Sequence, residues 1–234
     1  MHSISFAIYD SFILDSNNIS SKNLLLLELN KYNVGKLLLL LTNSTISCLL
    51  EYKTLIEAEN DALRLYAANK AKEQATSIYG NSVYVRGLIE VGNYCRNDCF
   101  YCGIRKSNLN CDRYILVEED ILHCCKEGYE LGFRTFVLQG GEGIYKKDFV
   151  TNVVQKIRSE YPDCAITLSL GEEDRDTYKA WFEAGANRYL LRHETASKNH
   201  YEKLHPKNMS FDHRMQCLKD LKEIGYQVGC GFMV

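Results

Sequence analysis

The sequence predicts an α/β fold, a partial (β/α) barrel of TIM type with about five βα units, preceded by an N-terminal helical segment. Three observations predict it. From residue 83 onward, short β-rich runs alternate with windows of helix formers, the pattern of βα units around a parallel sheet. Polar residues and glycines recur just past each β-rich run, where β/α barrels carry their functional groups. The first 80 residues lack this alternation and read as helical from residue 21 to Gly80. The chain therefore divides into a leader and helical segment, 1–80, and a barrel segment, 81–234.

Taken in order, residues 1–20 show no clean period. Leu24, Leu25, Leu27 and Leu29 open the helical stretch, and residues 57–73 continue it with Ala, Glu, Lys, Leu and Arg. Gly80 supplies a stop. Strand one is expected over 83–91, followed by a cysteine-rich loop and a helix over 118–131. Strand two is expected over 135–138 with a helix over 147–160, and strand three over 165–170 with a helix over 175–184. Strand four over 188–191 precedes a helix over 212–224, and strand five over 227–232 ends the series.

Composition limits the function. With 234 residues and 46% hydrophobic content the chain can bury a core of its own. A net charge of −2, with no basic run interleaved with aromatics, argues against nucleic acid or an anionic membrane surface as partner. The apolar stretch at 37–41 is far too short to span a bilayer. Ten cysteines without an export signal point to a reducing cytoplasm. Two prolines, Pro162 and Pro206, do not suggest a flexible multi-domain linker.

The chemistry concentrates at Cys95, Cys99 and Cys102, spaced x3 and then x2. Three thiolates so close in sequence can ligate three irons of one cubic iron–sulfur cluster and leave the fourth iron open. An open iron suits S-adenosylmethionine (SAM), whose amino and carboxylate groups can chelate it. Structural zinc would call for a second CxxC pair, and none follows at the usual distance. A disulfide fits a short secreted chain, and a thioredoxin-type pair of Cys99 and Cys102 leaves Cys95 unexplained.

The strand-end residues suggest a seat for such a ligand. Gly140 and Gly141 let backbone approach a small polar molecule, although a plain tight turn explains them as well. Glu142 suits an amino group. Glu172 and Arg192 read either as an ion pair between neighbouring strands or as contacts to the ribose and carboxylate of a cofactor, with Glu194 joining them. His193 reads as a surface residue without a catalytic role, and His205 as a residue that caps or packs. Cys48, Cys111, Cys124, Cys125, Cys164, Cys217 and Cys230 read as small buried hydrophobes, with Cys124 and Cys125 diverging on their helix. Cys111 and Cys230 fall in or near strand-end loops.

The stretch 85–108, VRGLIEVGNYCRNDCFYCGIRKSN, resembles the cluster loop of the radical SAM superfamily and, within it, of the HydE-type maturases of [FeFe]-hydrogenase. LSLGE at 168–172, YLLRHETA at 189–196, YEKLHP at 201–206 and GCGFMV at 229–234 continue the resemblance, which runs from about residue 54 onward. The cysteine spacing marks only the superfamily. The other words mark the branch that also holds biotin synthase and methylornithine synthase.

The resemblance implies a [4Fe–4S] cluster on Cys95, Cys99 and Cys102, and reductive cleavage of SAM to methionine and a 5′-deoxyadenosyl radical. It implies cofactor contacts at Gln139, Glu142, Glu172, Arg192 and Met233. It further implies a small-molecule or organometallic substrate, an electron donor such as ferredoxin or flavodoxin, other hydrogenase maturation proteins as partners, and an anaerobic setting. A methylornithine synthase-like lysine mutase and a non-catalytic fragment that binds only the cluster are the alternative readings. One departure is local: family members tend to read Gln-Ser-Gly-Glu where this chain has Gln139, Gly140, Gly141 and Glu142. A second is global. A full eight-stranded barrel takes about 200 residues or more, so five units imply a truncated barrel with an uncovered inner face and an open edge.

Overall fold

The computed structural model describes residues 61–233, together with Lys53, Ile56 and Glu57. Expectations for residues 1–20, the leucines at 24–29, the apolar run at 37–41 and Cys48 lie outside the described residues. Two compact units are distinguished by their contacts; among the described residues the first ends at Tyr84 and the second runs from Val85 to Met233. In the first unit the described element is α1 (Asp61–Tyr79), a solvent-facing helix with Lys70 paired to Glu73 at 2.7 Å. Gly80 ends it in the left-handed region at φ +63, its amide donating to Thr76 O at 2.8 Å, a C-terminal stop that glycine adopts without steric cost.

The second unit is a five-stranded parallel sheet in the order β1 (Gly87–Gly92), β2 (Thr135–Gly140), β3 (Ala165–Ser169), β4 (Arg188–Leu190) and β5 (Gln227–Gly229). Within the described residues β1 and β5 each pair with a strand on one side only, the outer edge of β1 being met by an isolated antiparallel bridge from Gly92 to Ile115, so the sheet is an open arc. Parallel neighbours require crossovers, and five helices supply them: α2 (Glu118–Glu130), α3 (Lys147–Glu160), α4 (Arg175–Glu183), α5 (Lys198–Leu204) and α6 (Phe211–Ile224).

Alternation within the strands decides which face is buried. Ile89, Val91, Phe136, Leu138, Ile166, Leu168 and Tyr189 point toward the helices and are buried. Ile121 and Cys125 of α2, Val150, Val153, Val154 and Ile157 of α3, Tyr178 and Trp181 of α4, and Cys217 and Leu221 of α6 complete that core. Trp181 stacks on Tyr189 at 6.4 Å and donates its indole N–H to Lys147 O at 3.1 Å, so the largest side chain of the core buries no orphan donor. The opposite face carries register rows instead. Glu90 pairs with Gln139, and Gln139 with Ser169, a polar row across three strands near their C-terminal ends. Leu88, on the same face, is 55% exposed.

Helix starts follow the local sequence. Asp174, Ser197 and Ser210 each accept an amide from three residues on, capping α4, α5 and α6. Gly225 closes α6 at φ +116.

From residue 61 onward the expected elements are present, with shifted edges, and the helical stretch expected over 21–60 lies outside the described residues apart from Lys53, Ile56 and Glu57. Strand one begins at Gly87 rather than residue 83, the first register pair being Gly87 with Phe136. Gln139 and Gly140 extend strand two rather than following it. Strand five ends at Gly229, since Phe232 bridges Glu194 only as an isolated contact. The seven-residue α5 was not expected. A helix of two turns has too few positions to show a period, and its one sequence signal is the capping Ser197.

Candidate functional site

Cys95, Cys99 and Cys102 lie just past the C-terminal end of β1, half-buried, as free thiols. The loop that carries them is held by its own polar groups. Asn93 accepts the Tyr114 amide at 2.8 Å and donates to Asp112 O at 2.6 Å, and the Arg113 guanidinium donates to the carbonyls of Asn93, Ile104, Arg105 and Asn108. Segment 93–114 is thereby closed on itself. The Cys102 amide donates to Cys99 O at 3.0 Å, so these two sulfurs share one tight turn.

The turn after β2 docks directly on this loop. The Gly141 amide donates to Gly92 O, the Arg96 amide to Glu142 O at 2.9 Å, and the Glu142 amide to Cys95 Sγ at 3.4 Å. Cys95 Sγ also receives the Asn97 amide at 3.4 Å. A Cβ on Gly141 would fall 1.8 Å from Tyr94 O, and one on Gly140 3.0 Å from Ile144. The room these glycines leave is thus filled by the chain itself. What these glycines permit here is the close approach of two loops.

Behind the loop lies a buried charge network. Glu142 Oε1 accepts from Asn97 Nδ2 at 2.8 Å and Arg96 Nη2 at 3.1 Å, and Arg96 Nη2 also reaches Glu172 O at 2.5 Å. Arg214 of α6 faces both carboxylates, its Nη2 3.6 Å from Glu142 Oε2 and its Nε 2.7 Å from Glu172 Oε1. The second contact is a charge contact without hydrogen-bond alignment, so Glu172 Oε1 and Arg214 Nε both stay unsatisfied, as does the buried Tyr201 hydroxyl. Glu172 is presented by the turn after β3, where the Tyr178 and Tyr189 hydroxyls both donate to Gly171 O, at 3.1 and 2.9 Å.

Burial raises the Glu172 carboxyl above its ordinary pKa, and Glu142 adds to this against the pull of Arg214. Burial opposes the charge on Arg214, but Glu172 and Glu142 outweigh it and hold the guanidinium protonated. Burial also pushes the Cys99 thiol up to about 11. Metal ligation would deprotonate that thiol.

The other expected residues form a second group at the ends of β4 and β5. Glu194 sits at φ +63, the left-handed region that a non-glycine residue seldom adopts, its amide donating to Gly231 O and its carbonyl accepting the Met233 amide, both at 3.0 Å. Arg192 Nε lies 3.5 Å from Glu194 Oε1. The expected ion pair between Glu172 and Arg192 is not formed: Glu172 turns inward to Arg214, and Arg192 stays exposed beside Glu194. Gln139 lies on the polar row of the inner face.

His193 is half-buried rather than a surface residue, with a buried Nδ1 that lacks a partner. His205 caps and packs as expected, its Nδ1 2.9 Å from Tyr201 O and its ring stacked on Tyr201 at 3.8 Å. Among the remaining cysteines Cys125, Cys164 and Cys217 are buried; Cys111 is half-buried, and Cys124 and Cys230 are exposed, against the expectation. Cys217 Sγ and Glu172 Oε2 each lie 3.7 Å from His213 Nε2. Both use the same ring nitrogen and the thiol is buried, so this trio cannot relay a proton as a nucleophile–base–orienter set does.

Sequence reasoning missed Arg96, Asn97 and Arg214 because charge within a motif or on a helix reads as solvated surface. It also missed the ties from 201–209 to the cysteine loop: Phe100 N to Leu204 O at 3.0 Å, Tyr101 Oη to His205 Nε2 at 3.1 Å, and Cys99 Sγ to Met209 Sδ at 3.6 Å. The available signal was the position of Arg96 and Asn97 between two cysteines. A surface depression lined by Leu122, His123, Lys126, Tyr129, Glu130 and Tyr161 lies at the C-terminal ends of helices, hence at the other end of the strands.

These residues fit an iron–sulfur cluster and its ligand. Backbone amides meet Cys95 Sγ, as donors meet the sulfurs of such clusters. Unsatisfied buried polar atoms collect at Glu172, Arg214 and Tyr201, where a polar ligand finds partners. Among the described residues no three His, Cys, Asp or Glu side chains converge as ligands to one ion. A cubic cluster does not ask for that convergence, because each thiolate binds its own iron.

The fold and site define a β/α protein with a three-cysteine loop past the C-terminal end of its first strand. The Radical SAM superfamily model matches residues 89–234, and the chain belongs to that superfamily, whose members use a [4Fe–4S] cluster and S-adenosylmethionine. It is 44% identical over 165 residues to the [FeFe] hydrogenase maturase subunit HydE of Thermotoga maritima, covering 70% of this chain and 47% of that one. It is 31% identical over 181 residues to 3-methylornithine synthase of Methanosarcina acetivorans, covering 76% and 50%. The solved structure of methylornithine synthase superposes with a TM-score of 0.74 at 28% identity, over 84% of this chain and 58% of that one. HydG, a maturase of the [FeFe]-hydrogenase, shares the fold with a TM-score of 0.77 at 23% identity, over 87% and 47%. The chain thus spans about half the length of the curated relatives it matches. No helix among the described residues is long and apolar enough to cross a membrane.

Proposed function

We propose that this chain carries the cluster- and SAM-binding portion of a HydE-like radical SAM enzyme. The observation that carries the proposal is the docking of the Gly141–Glu142 turn on Cys95, which sets a buried carboxylate directly behind the cysteine loop. When bound, the cluster supplies the electron that cleaves SAM into methionine and a 5′-deoxyadenosyl radical.

Each residue then has a task. Cys95, Cys99 and Cys102 would hold three irons. Glu142, presented toward the loop and fixed by Asn97 and Arg96, would take the cofactor's amino group. Glu172, with one oxygen unsatisfied, would accept the ribose hydroxyls. Arg192 and Glu194, with Met233 tied to Glu194, would line the next stretch of the rim. Gln139 would face the cofactor from the inner row, and the backbone of Gly140 and Gly141 would hold that turn in place.

The identity of 44% to a HydE, against 31% to a methylornithine synthase, favours maturation of the [FeFe]-hydrogenase over lysine isomerisation. The substrate would then be a small organometallic molecule, with a ferredoxin or flavodoxin as electron donor in the cytoplasm and other maturation proteins as partners. The test is anaerobic reconstitution with iron and sulfide, followed by dithionite and SAM. Release of 5′-deoxyadenosine is expected. A cluster that persists in a variant lacking all three cysteines would overturn the proposal, and iron without SAM cleavage would mark the chain as a cluster-binding fragment.

A further inference from the structure

We propose that Arg214 is the positioning residue of the cofactor site, holding the Glu142 and Glu172 carboxylates at a fixed separation. This rests on the assignment of those two carboxylates to SAM.

The two glutamates come from different turns, one after β2 and one after β3, and no backbone hydrogen bond fixes the distance between their carboxylates. Arg214 bridges them from a third element, the first turn of α6, with Nη2 toward Glu142 and Nε toward Glu172. Its side chain is 9% exposed, against 49% for Arg96, the other cation of the network. Arg96 contacts Glu142 by its side chain but meets Glu172 only at the backbone carbonyl, so the Glu172 carboxylate has Arg214 as its buried cation. His213 also faces Glu172, at 3.7 Å, from an exposed position.

The geometry is that of a support poised for a ligand rather than of a closed ion pair. A planar guanidinium commonly meets a carboxylate through two aligned N–H bonds. Here it is shared between two carboxylates, and its Nε, Glu172 Oε1 and the Tyr201 hydroxyl all lack an aligned partner. Buried polar atoms held in charge contact without aligned hydrogen bonds have bonding capacity left for a ligand. A ligand that donates hydroxyls to Glu172 would use that capacity without displacing Arg214. Loss of the guanidinium would leave two buried carboxylates without the cation that spans them, and nothing else from α6 would hold their separation.

The test uses the full 234-residue chain, reconstituted anaerobically, with SAM as the probe. Arg214→Met is expected to load iron as the wild type does and to show the same spectrum of the reduced cluster without SAM. The SAM concentration needed for half of the SAM-dependent change in that spectrum should rise at least about tenfold, as expected for loss of a charged interaction worth more than about 1.4 kcal/mol. In turnover the loss should fall on KM more than on kcat. Arg214→Lys should recover part of the affinity by restoring one cation, without reaching both carboxylates. Wild-type-like SAM affinity in a folded, cluster-loaded Arg214→Met chain overturns the proposal.

If Arg214→Met does not fold, the decision passes to Arg214→Lys combined with Glu172→Gln. A residue that acts through Glu172 gives losses that do not add, and additive losses in SAM affinity overturn the proposal. Failure of the wild type to bind SAM while holding its cluster refutes the assignment of the site itself, and this inference with it.

Discussion

The backbone of Gly171 and the side chain of Glu142 lie across one another: a Cβ at residue 171 would fall 2.2 Å from Glu142 Cγ and 2.3 Å from its Oε2. Two loops after adjacent strands are interlocked where the Glu142 carboxylate lies. Gly171 also sits at φ +87, so its replacement strains the backbone as well.

Gly171→Ala should therefore separate function from folding. The added methyl displaces Glu142, while the sheet core lies on the other face of the strands. We expect SAM affinity to fall by an order of magnitude or more, with a loss of stability of about 1–3 kcal/mol from overpacking and strain. Urea denaturation and SAM titration of the same preparation check the two halves.

Gly141→Ala should behave differently, because its Cβ meets the backbone carbonyl of Tyr94 at 1.8 Å and a carbonyl cannot rotate away. The expected cost is about 3 kcal/mol or more, seen as a lowered denaturation midpoint. The cysteine loop should loosen with it, so iron retention during gel filtration should fall in parallel.

Replacing any one of Cys95, Cys99 or Cys102 by Ser should abolish retention of an intact cluster. Iron content should drop from about four per chain toward background, with loss of the charge-transfer absorbance. Circular dichroism of the metal-free chain should stay unchanged, since the core of Trp181, Tyr189 and the α3 valines does not involve these thiols.

Thiol labelling of the cluster-loaded chain provides a further check. Cys124 and Cys230 are exposed and should react within the native protein, whereas Cys125, Cys164 and Cys217 should react only on unfolding. Burial pushes the Cys125 thiol up to about 12, which slows it further by depleting the thiolate.

Asp174 caps α4 by accepting the Thr177 amide at 2.7 Å, and that bond holds its carboxyl below the usual carboxylate range. Asp174→Ala should cost about 1 kcal/mol. The sign of its pH dependence follows from a folded pKa below the unfolded one. The stabilisation is complete above the unfolded value of about 3.9 and is lost as pH falls through the folded value. The difference in stability between wild type and Asp174→Ala should shrink under acid and be constant from pH 6 to 8.

The elements of the fold were legible because each leaves a local mark. Helix α3 was read at its observed bounds, its valines recurring at helical spacing between Lys147 and Glu160. Helix α5 was not, since seven residues carry no period. At the site, the cysteine spacing marked the loop, and Glu142 and Glu172 were singled out just past their strands, where the structure places them beside that loop. Which cation serves them was not legible. Arg192 is nearer in sequence, yet Arg214 is the partner, because the first turn of α6 brings its side chain to the turns after β2 and β3, and a tertiary approach of this kind leaves no trace in spacing. The glycines illustrate the same limit. Sequence shows that Gly140 and Gly141 lack side chains, and only the structure shows that Tyr94 and Ile144 occupy the space.

The division of the strands between a helix-covered face and a polar row at Glu90, Gln139 and Ser169 has an evolutionary consequence. The residues that make the domain fold and those that choose its chemistry alternate along the same strands without sharing a side chain. Exchanges in the row would alter what the arc accepts while leaving the apolar layer that stabilises it intact. A lineage with this architecture can change substrate by drift on one surface, keeping its fold and its metal loop throughout.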